Sequence, residues 1–387
     1  MAKSTNKNVP KSTSQPAIGE AVAVSDHEVV IIGAGPAGLS LAHCLVQQGI
    51  EPVLLESGDA AGHSWANMPQ NITLLSPWKV NHLPGTRATA TDQHKMHTCH
   101  EFSAYLRDYA GERRFDVRHN TPVLDVTHDG GNFVVHTGSG DLRTGLLVNA
   151  TGYFAKPRMP TYPNMDGSRI HQRHVHDFHS AERLHRDIGV HSPRVLVVGR
   201  RISAGQTLAE LHDAGLGFDV VLSTRGPVSF APRPWALKLS FWVYFLWEDR
   251  QVLSDPFGLD DTFPPMEGGR EKDLLLSGAV RQVPDIARFH DTDIEFKGGM
   301  REPFDAVIYT TGFLPALDHL NRLISVDEET GLPRMSNQQS MQTPGLYFLG
   351  LDKQRSFRSR YLRGIREDAK ALADELVSKV NSVRRAG

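Results

Sequence analysis

The chain has 387 residues, 40% apolar and 22% charged, a balance that supports a sizeable buried core spread over two domains. Its formal net charge of −2, with histidine neutral, argues against nucleic acid or an anionic membrane surface as a partner. The two cysteines, Cys44 and Cys99, cannot form a C-x-x-C pair, so a redox-active dithiol motif and a disulfide framework are both unsupported; a reducing, cytoplasmic setting fits best.

Residues 1–26 are rich in Lys, Ser, Thr, Asn and Pro and contain no apolar run of signal-peptide length, so they are expected to form a disordered tail. The next stretch, "HEVVIIGAGPAGLSLAHCLVQQGIEPVLLESGD", carries the elements of a dinucleotide-binding strand–helix–strand unit in order. Glu28 to Ile32 form a β-branched run suited to a strand buried on both faces. Gly33, Gly35 and Gly38 fit G-x-G-x-x-G: a tight turn, a close approach of backbone to a pyrophosphate, and close packing of helix on strand. The helix from Pro36 and Ala37 onward aims its N-terminal amides at that phosphate. A second strand, Pro52 to Leu55, ends at Glu56, near the expected interval of about 20 residues, where a carboxylate accepts ribose hydroxyls. That carboxylate disfavours a 2′-phosphate, leaving FAD or NAD as the ligand.

"FDVRHNTPVLDVTHDGGNFVVHTGSG" alternates apolar and polar residues between glycine-rich turns and predicts a small antiparallel meander. "LLVNATG" and, much later, "AVIYTTG" read as buried strands that end in small residues, at Thr151-Gly152 and Thr311-Gly312. His171, His174, His176 and His179 cluster without a regular metal-ligand framework and read as a solvated loop.

A second unit follows in "RVLVVGRRISAGQTLAELHDAGLGFDVVLSTRGP". Arg194 to Val198 is a buried-type strand, Ser203 to Ala214 a helix stopped by Gly215 and Gly217, and Asp219 to Ser223 a second strand. Its triplet positions are Gly199, Arg201 and Ala204, so an arginine replaces the middle glycine; this side chain must swing aside and contact a pyrophosphate itself. Where the first unit has Glu56, this one has Ser223-Thr224-Arg225, the change needed to accept a 2′-phosphate. The reading is an NADPH site built on Gly199, Arg200, Arg201, Ser203 and Arg225, with a layer that has lost its nucleotide as the alternative. The apolar run "WALKLSFWVYFLW", Trp235 to Trp247, is too short to span a bilayer and reads as a buried, pocket-lining or membrane-surface helix.

Two nucleotide units in this order resemble the flavin-containing monooxygenase-like flavoproteins, over about residues 27–375. "GHSWANMPQNITLLSPWKVNHLPG" looks like that family's segment after the ribose acid, where Ser64 and Trp65 would lie along the flavin. "LLVNATGYFAKPRMP" and "VIYTTGFLP" resemble its paired crossings between domains, and "TPGLYFLGLDKQRSFRSRYLRGIREDA" its closing segment, with Leu351 to Gln354 approaching the isoalloxazine. The family's F-x-G-x-x-x-H motif falls on Met165, Gly167 and His171, with Val175 at the following aromatic position; both aromatics are missing. Leu75 stands where true members place an asparagine over the flavin, and Arg358 where a glycine is usual.

The resemblance implies an α/β fold of two Rossmann-like domains, the second inserted into the first, with a small antiparallel meander. Residues 27–155 and 305–387 would form an FAD domain and 156–304 an NAD(P)H domain. The implied FAD contacts are Gly33, Gly35, Pro36, Ala37, Gly38, Glu56, Ser64, Trp65, Val123, Thr151, Gly152 and Gln354; Thr311 and Gly312 join the NADPH set. The implied reaction passes hydride from NADPH to FAD, captures dioxygen as a hydroperoxyflavin and oxygenates a small, partly apolar organic substrate. Arg355 and Arg358 are candidates to stabilise negative charge near the flavin. No metal, nucleic acid or transmembrane segment is implied, and a homodimer is left open. An oxidase, a dehydrogenase or an NAD(P)H–flavin reductase with an altered second site is the alternative reading, and a non-enzymatic FAD-bound sensor a third.

Overall fold

A computed structural model describes residues 26–69, 72–129, 131–231, 265–328, 330–352 and 354–386. The expected disordered tail, apart from residue 26, and the apolar run Trp235–Trp247 lie outside them.

The chain opens with β1 (His27–Ile32), helix Pro36–Val46 and β2 (Val53–Leu55), the unit expected from the glycine triplet. β1 and β2 pair in parallel. Helix Cys99–Glu112 follows, held at its start by a capping box between Thr98 and Glu101. β3 (Asp116–Arg118) then pairs in parallel with β2. Asp116–Arg118 was expected to begin the meander, which instead consists of β4 (Val123–Asp129), β5 (Asn132–Thr137) and β6 (Gly140–Asn149). β6 joins the meander to the parallel strands within one sheet: its first half runs antiparallel to β5, and its second half parallel to β1.

The second unit begins at β7 (His171–His174), followed by β8 (Arg194–Val198), helix Ile202–Asp213, β9 (Asp219–Ser223) and β10 (Arg281–Val283). A three-stranded antiparallel flap, β11 (Ile286–Phe289), β12 (Asp293–Phe296) and β13 (Arg301–Pro303), precedes β14 (Ala306–Tyr309). Strands β7 to β10 and β14 form one parallel sheet in the order β10-β9-β8-β14-β7. Two expectations change here. The histidine-rich "HQRH" is an edge strand rather than a loop, and its His174 is buried. The first domain was expected to resume at 305, but β14 pairs with β8 and β7, so the return crossing falls after Tyr309.

The chain then adds β15 (Met335–Ser336), β16 (Gln339–Ser340) and β17 (Leu346–Phe348), the last parallel to β6, and ends in the 25-residue helix Leu362–Ala386. The first sheet thereby has nine strands.

Alternation along the central strands explains why both are uniformly apolar. Val29 and Ile31 pack into the core shared with helices Pro36–Val46 and Leu362–Ala386, whereas Val30 and Ile32 face the core on the meander side. β8 repeats the pattern, with Val195 and Val197 on one face and Leu196 and Val198 on the other. Each such side chain contributes about 1.5–3 kcal/mol through burial.

The segments after β6 and β14 lie side by side. Arg158 N donates to Gly312 O at 2.9 Å and Leu314 N to Lys156 O at 2.9 Å. The C-terminal ends of β1 and β8 thus open on a common cleft, the place where open parallel sheets bind ligands.

Candidate functional site

The first cradle is built by glycines with distinct duties. Gly33 has φ +104°, and a Cβ there would lie 2.7 Å from the Ala150 carbonyl oxygen. A Cβ on Gly38 would lie 2.0 Å from the Gly33 oxygen, so this glycine is required by helix–strand packing and does not line the cleft. Gly35 is different: a Cβ there would meet no protein atom within 4 Å, and it faces the cleft. The missing side chain at Gly35 therefore leaves room for a ligand and relieves no internal clash. Helix Pro36–Val46 starts with proline, has no side-chain cap and no acid in its first turn, which leaves its positive end to an anion.

Glu56, only 8% exposed, is fixed by accepting from Ala34 N at 2.9 Å through Oε2 and from Gly58 N at 2.9 Å through Oε1. A carboxylate has about four acceptor positions, so ribose hydroxyls can still be received. An open glycine, an uncapped helix start and a fixed carboxylate fit the ADP half of a dinucleotide without a 2′-phosphate.

Ser64, Trp65, Val123, Thr151 and Gly152 also line the cleft, along with Pro36 and Ala37. Gln354 does not. It is buried beneath the turn after β17, where its Oε1 accepts from Gly350 N and Leu351 N at 2.9 and 3.1 Å and its Nε2 donates to Phe348 O at 2.6 Å. Gln354 thus shapes the turn that presents Leu349 and Gly350 to the cleft. Arg355 and Arg358 also point elsewhere, pairing with Asp368 and Glu367 respectively.

Among the lining residues that escaped sequence reasoning are Arg360 and His319. Arg360 lies two positions past Arg358, in the same "RSFRSR" run. His319 donates through Nε2 to Asn149 Oδ1 at 2.9 Å, and Asn149 Nδ2 donates to Thr151 Oγ1 at 3.0 Å. Burial pushes the His319 pKa down to about 4, so the ring is neutral at pH 7.

The second cradle reuses the same turn. Gly199 has φ +152°, and a Cβ there would lie 2.1 Å from Thr310 Oγ1 and 2.8 Å from Thr310 O. Arg201 sits just before helix Ile202–Asp213 with extended backbone, φ −116° and ψ −167°, so an arginine is accommodated without backbone strain. Ala204 is fully buried at the third position. Arg200 donates to Pro227 O at 3.3 Å, and Ser203, Thr311 and Gly312 face the same space.

Arg225 extends past β9 with its side chain 66% exposed. The Tyr162 hydroxyl and the Asp285 carboxylate, 3.6 Å away, raise its pKa. Asp285 is buried, accepts from Tyr162 OH at 3.3 Å and lies 2.9 Å from Lys297 Nζ. Arg225 is thus tethered from behind, with its outer side toward solvent and cleft.

Both cradles open on one continuous cavity of about 1060 Å³, at the upper end of small-molecule sites. Among the described lining residues are five arginines, Arg158, Arg200, Arg201, Arg225 and Arg360, against two carboxylates, Glu56 and Asp285. That excess positive charge suits polyphosphate ligands. Between the cradles, Trp65 meets Phe154 edge-on at 5.3 Å, and Phe154 meets Phe313 at 5.2 Å, so one aromatic comes from each crossing. Beyond Trp65 the wall is apolar, with Met68, Ile72, Leu74, Leu75, Leu362 and Ile365. Cys99 also lines it, but burial raises its thiol to about 12, and Cys44 is raised to about 11. Neither supplies a thiolate at neutral pH.

Comparison with known proteins agrees with this geometry. An uncharacterized CzcO-like oxidoreductase of Geobacillus kaustophilus is 26% identical over 354 residues, covering 91% of this chain and 98% of that protein. An indole-3-pyruvate monooxygenase of Arabidopsis thaliana is 28% identical, covering 90% and 89%. Among solved structures, a flavin-containing monooxygenase from Stenotrophomonas maltophilia superposes with a TM-score of 0.75 at 22% identity, over 91% of this chain and 98% of that one. Bacillithiol disulfide reductase from Bacillus cereus superposes with a TM-score of 0.69 at 20% identity, over 91% and 99%. Both share the fold. The family described as pyridine nucleotide-disulphide oxidoreductase matches residues 30–242, a span holding both glycine turns and more than half of the chain, and this oxidoreductase belongs to that family.

Proposed function

We propose that the chain is a flavin-dependent monooxygenase that binds FAD in the first cradle, takes reducing equivalents from NADPH in the second and oxygenates a small, partly apolar organic substrate. The observation that carries the reading is the shared cavity, which joins two dinucleotide cradles of opposite character at the ribose position: a fixed carboxylate at Glu56 and a tethered guanidinium at Arg225. The indole-3-pyruvate monooxygenase relative supports the oxygenase assignment.

Gly33, Gly35, Pro36, Ala37 and Glu56 would hold the ADP half of FAD, with Gly38 packing beneath; Ser64, Trp65, Val123, Thr151 and Gly152 line its remaining path. Gly199, Arg200, Arg201, Ser203, Thr311 and Gly312 would hold NADPH, with Arg225 on the 2′-phosphate. When bound, FAD supplies hydride acceptance from the nicotinamide and activation of dioxygen, while the protein supplies position and dryness. The apolar wall of Met68, Ile72, Leu74 and Leu75 excludes water and accepts an apolar substrate body. Neutral His319 holds Asn149 and, through it, Thr151 in place without adding charge. The raised Cys44 and Cys99 thiols, with no partner cysteine, weigh against disulfide chemistry on the protein itself.

Turnover under labelled dioxygen tests the oxygenase assignment. One labelled oxygen atom in the product is expected, whereas hydrogen peroxide as the sole fate of oxygen would mark an oxidase.

A further inference from the structure

We propose that Arg360, carried by the first unit, completes the diphosphate site of the second cradle together with Arg201. This rests on the NADPH reading of that cradle. In an unmodified turn, the middle glycine lets a diphosphate approach the backbone. Here Arg201 occupies that position and lines the cavity, just before a 12-residue helix with no side-chain cap and no acid in its first turn. The diphosphate must therefore sit further out in the cavity, which Arg360 also lines.

Arg360 is placed firmly. It ends the short turn Phe357–Arg360 ahead of the C-terminal helix, and its side chain is only 16% exposed. Its Nη1 lies 2.8 Å from Asp352 Oδ2, and its guanidinium carbon 5.1 Å from the Tyr153 ring centre. Tyr153 closes the triangle, accepting from Asp352 N at 2.9 Å and donating to Asp352 Oδ2 at 3.2 Å. A buried, anchored guanidinium loses little further freedom when it binds an anion.

Charge supports the assignment. Burial, then Arg200, then Arg360 lower the pKa of Arg201, so guanidinium groups from both units converge on one space. A doubly charged diphosphate relieves that repulsion through bidentate contacts. Because Arg201 and Arg360 belong to different units, a ligand bridging them joins the two.

The experiment compares two ligands on the FAD-loaded chain by calorimetry: NADP⁺, which has a diphosphate, and 2′-AMP, which has the 2′-phosphate without it. The paired replacement Arg360→Gln with Asp352→Asn avoids leaving a buried carboxylate without its cation. It is expected to weaken NADP⁺ about tenfold or more and leave 2′-AMP unchanged. Arg360→Lys, which retains charge beside Asp352 but not the guanidinium fork, should weaken NADP⁺ by less. NADP⁺ binding equal to that of the native chain in the paired variant overturns the proposal, as does equal weakening of both ligands. Failure of the native chain to bind 2′-AMP would instead remove the NADPH reading beneath it.

Discussion

The two cradles share a backbone and differ in their side chains. In each, a glycine with positive φ turns against the strand that precedes a crossing: Gly33 against Ala150, Gly199 against Thr310, with a hypothetical Cβ 2.7 and 2.8 Å from the respective carbonyl oxygens. The close approach of turn and crossing is thus common to both. At the next position the cradles part. Gly35 leaves open space, whereas Arg201 projects a guanidinium into the same cavity. At the strand end, Glu56 is fixed by two backbone amides, whereas Arg225 stands outward from Asp285 and Tyr162. Turn geometry makes a nucleotide site; the charges around it choose which nucleotide.

The largest effect should come from the shared backbone. Gly38→Ala places a methyl group 2.0 Å from the Gly33 oxygen, a backbone atom that cannot rotate away. We expect a loss of about 3 kcal/mol or more, read as a lower urea midpoint, together with loss of bound flavin. Unchanged stability would mean that the first turn does not need close helix packing. Gly35→Ala should leave stability nearly unaltered while weakening FAD, which separates the two glycines.

Two buried histidines make each half sensitive to acid. His174 in the second unit and His319 in the first are both pushed down to about 4 by burial, from an ordinary value of 6.5. The unfolded chain takes up these protons first, so the stabilisation is complete above about pH 6.5 and drains as pH falls toward 4. Each contributes at most roughly 3 kcal/mol at the acid end. Urea midpoints measured from pH 7 to 4.5 should fall, and His319→Asn should flatten that fall. An equal slope in the variant would show that His319 titrates normally in the folded chain.

A smaller, more selective effect is expected at the ribose position. Arg225→Ala should raise KM for NADPH by about tenfold to a hundredfold, through loss of a charge-assisted contact of about 1.5–3 kcal/mol, with little change for NADH. Equal effects on both coenzymes would erase the contrast with Glu56.

Much of this was legible in the sequence because it is local. A strand, its glycine turn and the following helix occupy contiguous residues, and β-branched runs with fixed glycine spacing signal them. What escaped depends on distant partners. Asp116–Arg118 is three residues with two charges, and it becomes a strand only because β2 offers an edge. "HQRH" has no apolar alternation and becomes a strand by pairing with β14. The run "AVIYTTG" reads like the first crossing, yet β14 completes the second sheet, a pairing visible only after β8 is in place. Gln354 and Arg360 lie six residues apart in an irregular segment, and tertiary packing turns the first inward and the second to the cavity. No periodicity distinguishes them.

The central claim is that two coenzymes meet in one cavity, and anaerobic reduction tests it most directly. Purified chain loaded with FAD should lose the visible absorbance of its oxidised flavin on addition of NADPH, and much more slowly with NADH at equal concentration. Flavin that stays oxidised with both would contradict it.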